Sequence, residues 1–177
     1  MNILAFAASS SKNSINKKLV TYAAGLIAGA QVEVLDLNDY ELPLFSEDKE
    51  KEIGQPTLAR DFLAKIGACD ALIVSFAEHN GSYTAAYKNL FDWCSRIETK
   101  VFQNKPMVML STSPGGRGGA TVLQAAVDSA PHFDGEVKGS YAIPSFYDNF
   151  DLEKNVLSNQ EFDAALHEVL AKLSAVT

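Results

Sequence analysis

The sequence is poor in cysteine and lacks any long apolar run. Its 177 residues include only two cysteines, Cys69 and Cys94, and no CxxC pair. Two isolated thiols argue against a disulfide framework and a cysteine-ligated metal site, and they are typical of a reducing cytoplasm. No apolar stretch approaches the roughly 18 residues that cross a bilayer. We therefore expect a cytoplasmic protein with no metal site, in which both thiols are buried.

Basic residues are also scarce. Lys and Arg number 15 against 22 Asp and Glu, which gives a formal net charge of −7. An acidic surface repels phosphate backbones and anionic headgroups, so we expect neither a nucleic-acid partner nor a membrane partner. The first residues, MNILAFAASSSK, lack the basic start of a signal peptide, and we interpret them as a strand. Hydrophobic residues make up 47%, enough for the core of one domain spanning residues 1–177.

What the chain does contain is an alternation of strand and helix patterns. Short apolar runs predict strands at 2–8, 31–37, 71–76, 106–112 and 137–143. Helical spacing predicts helices at 15–28, 57–67, 83–97 and 119–130, and a last helix after Ser158 and Glu161, which resemble a capping box. Five strands alternating with five helices indicate an α/β fold with a parallel sheet covered on both faces. The commonest such arrangement is the flavodoxin-like, doubly wound sheet of order 2-1-3-4-5.

Two segments fall outside this pattern. Residues 36–52 carry seven acids and two lysines, and we predict a solvated loop there. Residues 146–150, Phe-Tyr-Asp-Asn-Phe, predict a lid packed on the core. Both segments follow a strand, so either can also border a ligand opening at the carboxyl edge of the sheet.

The loops after the first, third and fourth strands are unusual, and the fold brings them to one edge. The first loop, residues 9–16, places serine hydroxyls, amides and Lys12 before a helix N-terminus. Free N–H groups and the helix dipole suit such a loop to a phosphate monoester. The alternative is that Ser14 only caps the helix. Neither a GxxxxGK[ST] loop nor a GxGxxG fingerprint occurs.

The other two loops favour close approach of backbone to a ligand. In residues 77–82, Asn80 and Gly81 permit a tight turn whose backbone groups can pair with the edge of a flat ring. The alternative is a simple turn with Ser82 capping the next helix. Residues 113–119 hold four glycines in five positions, which suits ligand contact or a flexible surface loop. Together, the three loops suit a mononucleotide with a flat ring at the point where the winding reverses.

These motifs resemble the NADPH-dependent FMN reductase family, which also contains quinone, azo-dye and chromate reductases. The family's first loop, G-S-x-R-x-x-S-x-N, is matched at Ser14 and Asn16, with Ser9 for the glycine and Lys12 for the arginine. Its P-E-Y-N-x-S and L-K-N-x-x-D-W motifs correspond to residues 77–82 and 87–93, and K-N-x-x-D-W is the most specific match. Ala77 stands for the proline and His79 for the tyrosine.

The resemblance implies bound FMN, NADPH or NADH as co-substrate, a quinone, free flavin or similar small-molecule acceptor, and a homodimer or homotetramer. It implies that the FMN phosphate is held by Ser9, Ser11, Ser14 and Asn16. It implies that the isoalloxazine is bordered by Glu78, His79, Asn80 and Ser82, with Ser113, Gly115 and Gly116 on another side. Because the flavin supplies the chemistry, no catalytic acid or base is required.

Several alternatives stay open. His79 is predicted to be packed or hydrogen-bonded rather than catalytic, and Arg117 either meets an anionic substrate or is solvated. A flavodoxin-type electron carrier has the same fold, cofactor and acidity, but the first loop lacks the flavodoxin T-x-T-G-x-T pattern. A hydrolase is disfavoured because no D-x-x-H follows near the C-terminus. A phosphorylated receiver is disfavoured because serines follow the first strand, where a receiver needs acids. A non-catalytic nucleotide sensor stays open as an alternative.

Overall fold

The computed structural model describes residues 1–174 and contains a five-stranded parallel sheet of order β2-β1-β3-β4-β5. The strands are β1 (Asn2–Ala8), β2 (Gln31–Leu35), β3 (Ala71–Phe76), β4 (Lys105–Thr112) and β5 (Gly135–Ile143). The order confirms the flavodoxin-like, doubly wound prediction. The predicted domain extends to residue 177, so its last three residues lie outside the described part of the chain.

Helices connect these strands and cover both faces of the sheet. They are α1 (Ile15–Gly25), α2 (Glu47–Ile53), α3 (Thr57–Ala68), α4 (Ala85–Ile97), α5 (Ala120–Ser129), α6 (Phe146–Asn149) and α7 (Gln160–Ser174). A short antiparallel pair, β6 (Phe150–Asp151) and β7 (Val156–Leu157), precedes α7. The helix predicted for 15–28 ends earlier than expected, at Gly25, since the chain turns at Leu26 and Ile27.

The core forms one apolar layer on each face of the sheet. One layer is built around Phe6, Phe62 and Trp93, and the other around Leu19, Phe146 and Leu166. Every residue of β3 is buried, as expected for a central parallel strand. Cys69 and Cys94 are both buried, which confirms their prediction as core residues, and burial raises the pKa of Cys94 to about 12.

The prediction of a loop over residues 36–52 is wrong, whereas most of the segment is exposed to solvent as predicted. A 3-10 helix occupies Leu37–Tyr40, and α2 follows it, capped by the Ser46 hydroxyl, which accepts a hydrogen bond from Lys49 N at 3.0 Å. Aromatic side chains anchor the segment, because the Tyr40 ring packs edge-on against Phe62 at 5.2 Å and the Phe45 ring against Trp93 at 5.1 Å. Most of the acids of the segment are exposed, while these rings pack against the core.

The capping residues of two helices also differ from expectation. Asn159, not Ser158, caps α7, since its Oδ1 accepts hydrogen bonds from Glu161 N at 3.1 Å and Phe162 N at 3.3 Å. Thr84, not Ser82, caps α4 by accepting a hydrogen bond from Tyr87 N at 3.2 Å. Any Ser, Thr or Asn near a helix start satisfies the sequence pattern, so the pattern does not fix which of them caps.

No helix within residues 1–174 combines the length and apolarity needed to cross a bilayer.

Candidate functional site

A cavity of about 230 Å³ opens where β1, β3 and β4 end, and all three unusual loops reach it. The predicted site residues that line it are Ser9, Ser11, Ser14, Asn16, Glu78, His79 and Ser113. The predicted residues outside its lining are Asn80, Ser82, Gly115 and Gly116. The sheet therefore brings the three loops to one place, as their positions after strands 1, 3 and 4 predict.

The groups of the first loop that are free to bind an anion lie in its backbone. Ser14 caps α1 by accepting a hydrogen bond from Lys17 N at 3.2 Å. The N–H groups of Ile15 and Asn16, in the first turn, have no hydrogen-bond partner among residues 1–174. Free N–H groups at a helix N-terminus, beside the partial positive charge of the dipole, form an anion site. The loop is tightened by Ser9 Oγ, which accepts a hydrogen bond from Ser11 N at 3.2 Å.

The Asn16 side chain is occupied by the protein itself. It is 2% exposed, and its Oδ1 accepts hydrogen bonds from Thr112 N at 3.0 Å and Ser75 Oγ at 2.8 Å. Its Nδ2 donates to the Thr112 carbonyl at 3.1 Å. The side chain therefore ties α1 to β3 and β4, which leaves the backbone N–H as the group of Asn16 that is free to meet an anion.

The second loop is a two-residue hairpin turn. The backbones of His79 and Ser82 exchange hydrogen bonds of 3.0 and 3.1 Å, and the intervening Asn80 and Gly81 both have positive φ, 53° and 75°. Two positive φ angles in a two-residue hairpin require residues such as Asn and Gly, which explains this pair. The predicted tight turn is confirmed.

Glu78 ties the second loop to the start of α5. Its carboxylate accepts a hydrogen bond from Val122 N, in the first turn of α5, at 3.0 Å. Gly119, at the N-cap position of α5, has no side chain to cap that helix. Glu78 is the one acidic residue in the cavity lining, and its charge is partly compensated by the α5 dipole. Glu78 therefore repels an anion in the cavity less strongly than an uncompensated carboxylate would.

The glycines of the third loop divide into two pairs. A Cβ on Gly118, which has a φ of 59°, would lie 2.7 Å from the Ile143 carbonyl, so this glycine is required by packing against the end of β5. The Ser111 hydroxyl also donates to the Gly118 carbonyl at 2.7 Å. In contrast, Gly115 and Gly116 face open space. The Gly115 carbonyl accepts a hydrogen bond from Ser145 N at 3.0 Å, so the loop is tethered rather than free.

Six residues of the cavity lining are absent from the predicted site, namely Asn13, Ile15, Ala77, Thr112, Pro114 and Tyr147. Tyr147 is 60% exposed and belongs to α6, whose neighbours Phe146 and Phe150 are buried and stack at 4.7 Å. The predicted lid is thus packed on the core through two rings and presents the third to the cavity. The sequence offers the aromatic cluster as a signal, but only the tertiary structure shows which ring faces the site.

The basic side chains around the site, Lys12, His79 and Arg117, are exposed. The imidazole of His79 has no hydrogen-bond partner within residues 1–174, so the prediction of a packed or hydrogen-bonded histidine is wrong. Arg117 donates to the Thr121 hydroxyl at 2.8 Å, and in the described chain it pairs with no carboxylate. Lys12 lines the neighbouring cavity along α1 rather than the cavity of the site.

Comparison with known proteins identifies the family. The family model described as NADPH-dependent FMN reductase matches residues 1–148. The chain belongs to this family.

Named relatives resemble the chain over most of its length. An NADPH:quinone oxidoreductase of Arabidopsis thaliana is 30% identical and covers 100% of this chain and 92% of its own. An NAD(P)H-dependent FMN reductase of Pseudomonas aeruginosa is 32% identical over 68% of this chain and 64% of its own. The solved structure of FerB, a flavoenzyme NAD(P)H:acceptor oxidoreductase of Paracoccus denitrificans, superimposes with a TM-score of 0.81 at 21% identity, covering 98% and 95% of the two chains, and supports the fold.

The observed geometry fits the cofactor of the NADPH-dependent FMN reductase family. Free backbone N–H groups at the start of α1 suit a terminal phosphate. Backbone groups of the hairpin at residues 79–82 and of the open glycines at 115 and 116 are accessible on two sides of the space next to this helix start. Family membership confirms the prediction of an FMN-dependent enzyme that uses NADPH or NADH, and nothing favours the electron carrier.

Proposed function

We propose that this chain binds FMN in the cavity at the ends of β1, β3 and β4, takes reducing equivalents from NADPH or NADH, and delivers them to a quinone or a similar small molecule. The observation that carries the proposal is the pair of free N–H groups at the start of α1, next to a hairpin and a glycine loop at the same sheet edge. The quinone is favoured among acceptors because relatives in plants and bacteria are named quinone reductases.

The first loop would hold the phosphate. We propose that the backbone N–H groups of Ile15 and Asn16 and the hydroxyls of Ser9, Ser11 and Ser14 donate to its oxygens. Several charge-assisted hydrogen bonds to one dianion also fix the position of the attached ring. Asn16 contributes by holding the loop against β4, since its amide is already bonded to Thr112.

The second and third loops would border the isoalloxazine. Glu78 and His79 lie on one side, in the same loop as Asn80 and Ser82, and Ser113 lies on another, in the same loop as Gly115 and Gly116. The exposed ring of Tyr147 would cover part of the flavin and exclude water there. When bound, FMN accepts a hydride from the nicotinamide and passes electrons to the acceptor, while the chain supplies position and electrostatics.

The assembly and location of the protein are part of this proposal. We propose a homodimer or homotetramer in the cytoplasm, with no membrane or nucleic-acid partner. The net charge of −7 supports the absence of an anionic polymer or surface as partner. Exposed apolar side chains at Val34, Leu44 and Leu58 are available for contact between copies.

Anaerobic stopped-flow mixing of FMN-loaded protein with NADPH, and separately with NADH, tests the proposal. We expect at least one nucleotide to bleach the flavin absorbance, and addition of a quinone to restore it. Steady-state turnover should give parallel double-reciprocal lines, because the two half-reactions alternate at one flavin. Free FMN at the same concentration is the control. A flavin that binds but is reduced by neither nucleotide would favour the electron carrier instead.

A further inference from the structure

A second cavity lies between α4 and α5. Its volume is about 230 Å³, and it shares no lining residue with the cavity of the proposed FMN site. Six aromatic rings line it, those of Phe76, Tyr83, Tyr87, Phe91, Phe102 and Phe133. We call it the aromatic cavity. Neither the proposed phosphate site nor the proposed ring site uses any of these side chains.

The Tyr87 hydroxyl is the unusual polar group of the aromatic cavity. Tyr87 is only 5% exposed, and its Oη has no hydrogen-bond partner among residues 1–174. Every side-chain oxygen or nitrogen in residues 1–174 that is fully sealed from solvent has a hydrogen-bond partner, so the unpartnered Tyr87 Oη keeps some contact with solvent. Tyr87 is one of the residues that line the aromatic cavity. Burial raises the pKa of Tyr87 well above its usual value, which keeps the phenol neutral and able to donate a hydrogen bond.

The other polar groups around the aromatic cavity are already satisfied. The Tyr83 and Ser129 hydroxyls are hydrogen-bonded to each other at 3.2 Å. Lys88 and Asp92 form an ion pair with N···O distances of 2.7 and 2.8 Å, so they neutralise each other. Besides this ion pair, a ligand in this space meets apolar walls and the free hydroxyl of Tyr87. It must therefore be neutral, because an unpaired charge against apolar walls is costly.

Size and shape restrict the ligand further. An apolar cavity of roughly 150 Å³ accommodates benzene, so 230 Å³ holds one six-membered ring with a small substituent. Aromatic walls favour a flat ring, because rings attract one another in stacked and edge-on arrangements. The free phenol donor favours a substituent with an accepting oxygen, such as a carbonyl.

We propose that the aromatic cavity is a second ligand site, which binds a small neutral aromatic ring carrying a carbonyl oxygen that accepts a hydrogen bond from Tyr87. This site is separate from the proposed flavin site and does not depend on the identity of the electron acceptor. A single-ring aromatic ketone or aldehyde meets these requirements.

Methyl-labelled methionine gives a local reporter for the test. The chain has three methionines, and Met109 lines the aromatic cavity whereas Met1 and Met107 do not. We would titrate 4-fluoroacetophenone into full-length, FMN-loaded protein labelled with ¹³C at the methionine methyl groups. The Met109 resonance should shift saturably, with Met1 as the remote reference. Fluorobenzene, which lacks the carbonyl, should shift Met109 with lower affinity.

Substitution of the donor completes the test. Tyr87→Phe removes only the hydroxyl, so it should weaken 4-fluoroacetophenone about tenfold and leave fluorobenzene within twofold, since one hydrogen bond is lost. The matched control is Tyr141→Phe, a half-buried tyrosine that packs in the apolar layer on the other face of the sheet. If the Met109 resonance does not shift up to the solubility limit of 4-fluoroacetophenone, the proposal is overturned. This outcome includes the case in which a second copy of the chain covers the cavity. Equal effects of Tyr87→Phe on both ligands would overturn the carbonyl assignment.

Discussion

Asn16 shows how one side chain can look like a ligand-binding residue and act as a structural one. Its position in the family motif implies a phosphate contact, but its amide is hydrogen-bonded to Thr112 and Ser75. Thr112 is 1% exposed, so its backbone N–H and C=O have no access to water. The proximity of Asn16 to β4 depends on contacts between residues 96 positions apart, and local sequence does not encode it.

Asn16→Ala should therefore destabilise the protein before any cofactor is added. The change leaves the two backbone groups of Thr112 without partners, and each buried unsatisfied group costs about 1–3 kcal/mol. We expect the free energy of unfolding of the apo protein to fall by roughly 3 kcal/mol in urea titration. Asn13→Ala, at an exposed neighbouring position, should have little effect. A stable Asn16→Ala protein with weakened FMN binding would instead favour the direct contact.

Ser14 caps α1 in the structure and is proposed to contact the FMN phosphate. The variant Ser14→Asp separates these two roles. Aspartate caps a helix as well as serine, so the stability of the apo protein should be nearly unchanged. A carboxylate beside a phosphate dianion should lower FMN affinity about a hundredfold, equivalent to roughly 2.8 kcal/mol. Fluorescence titration measures the affinity. Ser46→Asp is the matched control, since Ser46 caps α2 in the same way. Unchanged affinity in Ser14→Asp would move the phosphate elsewhere.

At the scale of elements, the β-strands were more predictable than the segment between β2 and α3. Strands such as β3 are continuous apolar runs, and burial on both faces produces that pattern directly. In residues 37–53 the buried Leu37 and the partly buried Tyr40 and Phe45, which pack on the core, are spread among acids without a regular period. Their partners, Phe62 and Trp93, lie on two other helices, so only the assembled fold shows why the segment is ordered.

The start of the same segment makes a pH-dependent contribution to stability. Asp36 forms an ion pair with Lys17 of α1, and the hydrogen bond from Lys17 holds the pKa of Asp36 below its usual value. Because the pKa is lower in the folded state, the pair stabilises the fold above the unfolded-state pKa of about 4, and this contribution is lost as pH falls through the folded-state value. The pair is partly exposed, so its contribution should be about 0.5–1 kcal/mol.

Asp36→Asn tests this contribution, since asparagine can still accept the hydrogen bond from Asn38 N that caps the 3-10 helix. We expect the variant to be less stable than the parent at pH 7 and this difference to be smaller at about pH 3, from urea midpoints at both pH values. Asp39→Asn, an exposed acid of the same 3-10 helix, is the control. A stability difference that is the same at both pH values would show that the ion pair is not its source.

For the whole molecule, the position of the site was predictable because topology alone determines it. Loops after strands 1, 3 and 4 of a doubly wound sheet must meet at one edge, whatever their detailed conformations. The role of Tyr147 was not predictable in this way. It depends on how α6 packs after β5, through contacts of Phe146 and Phe150 that only the complete core creates.

Cofactor binding should stabilise the whole fold, because FMN contacts loops that exist only in the folded state. At a free FMN concentration of 100 times the dissociation constant, the stabilisation is about 2.7 kcal/mol. For a chain of this size, that should raise the unfolding midpoint by about 5–10 °C. Riboflavin lacks the phosphate, whose several charge-assisted hydrogen bonds should contribute about 3 kcal/mol. At the same concentration it should then raise the midpoint by no more than about 2 °C, and equal shifts in a thermal scan would mean that the N-terminus of α1 does not hold the phosphate.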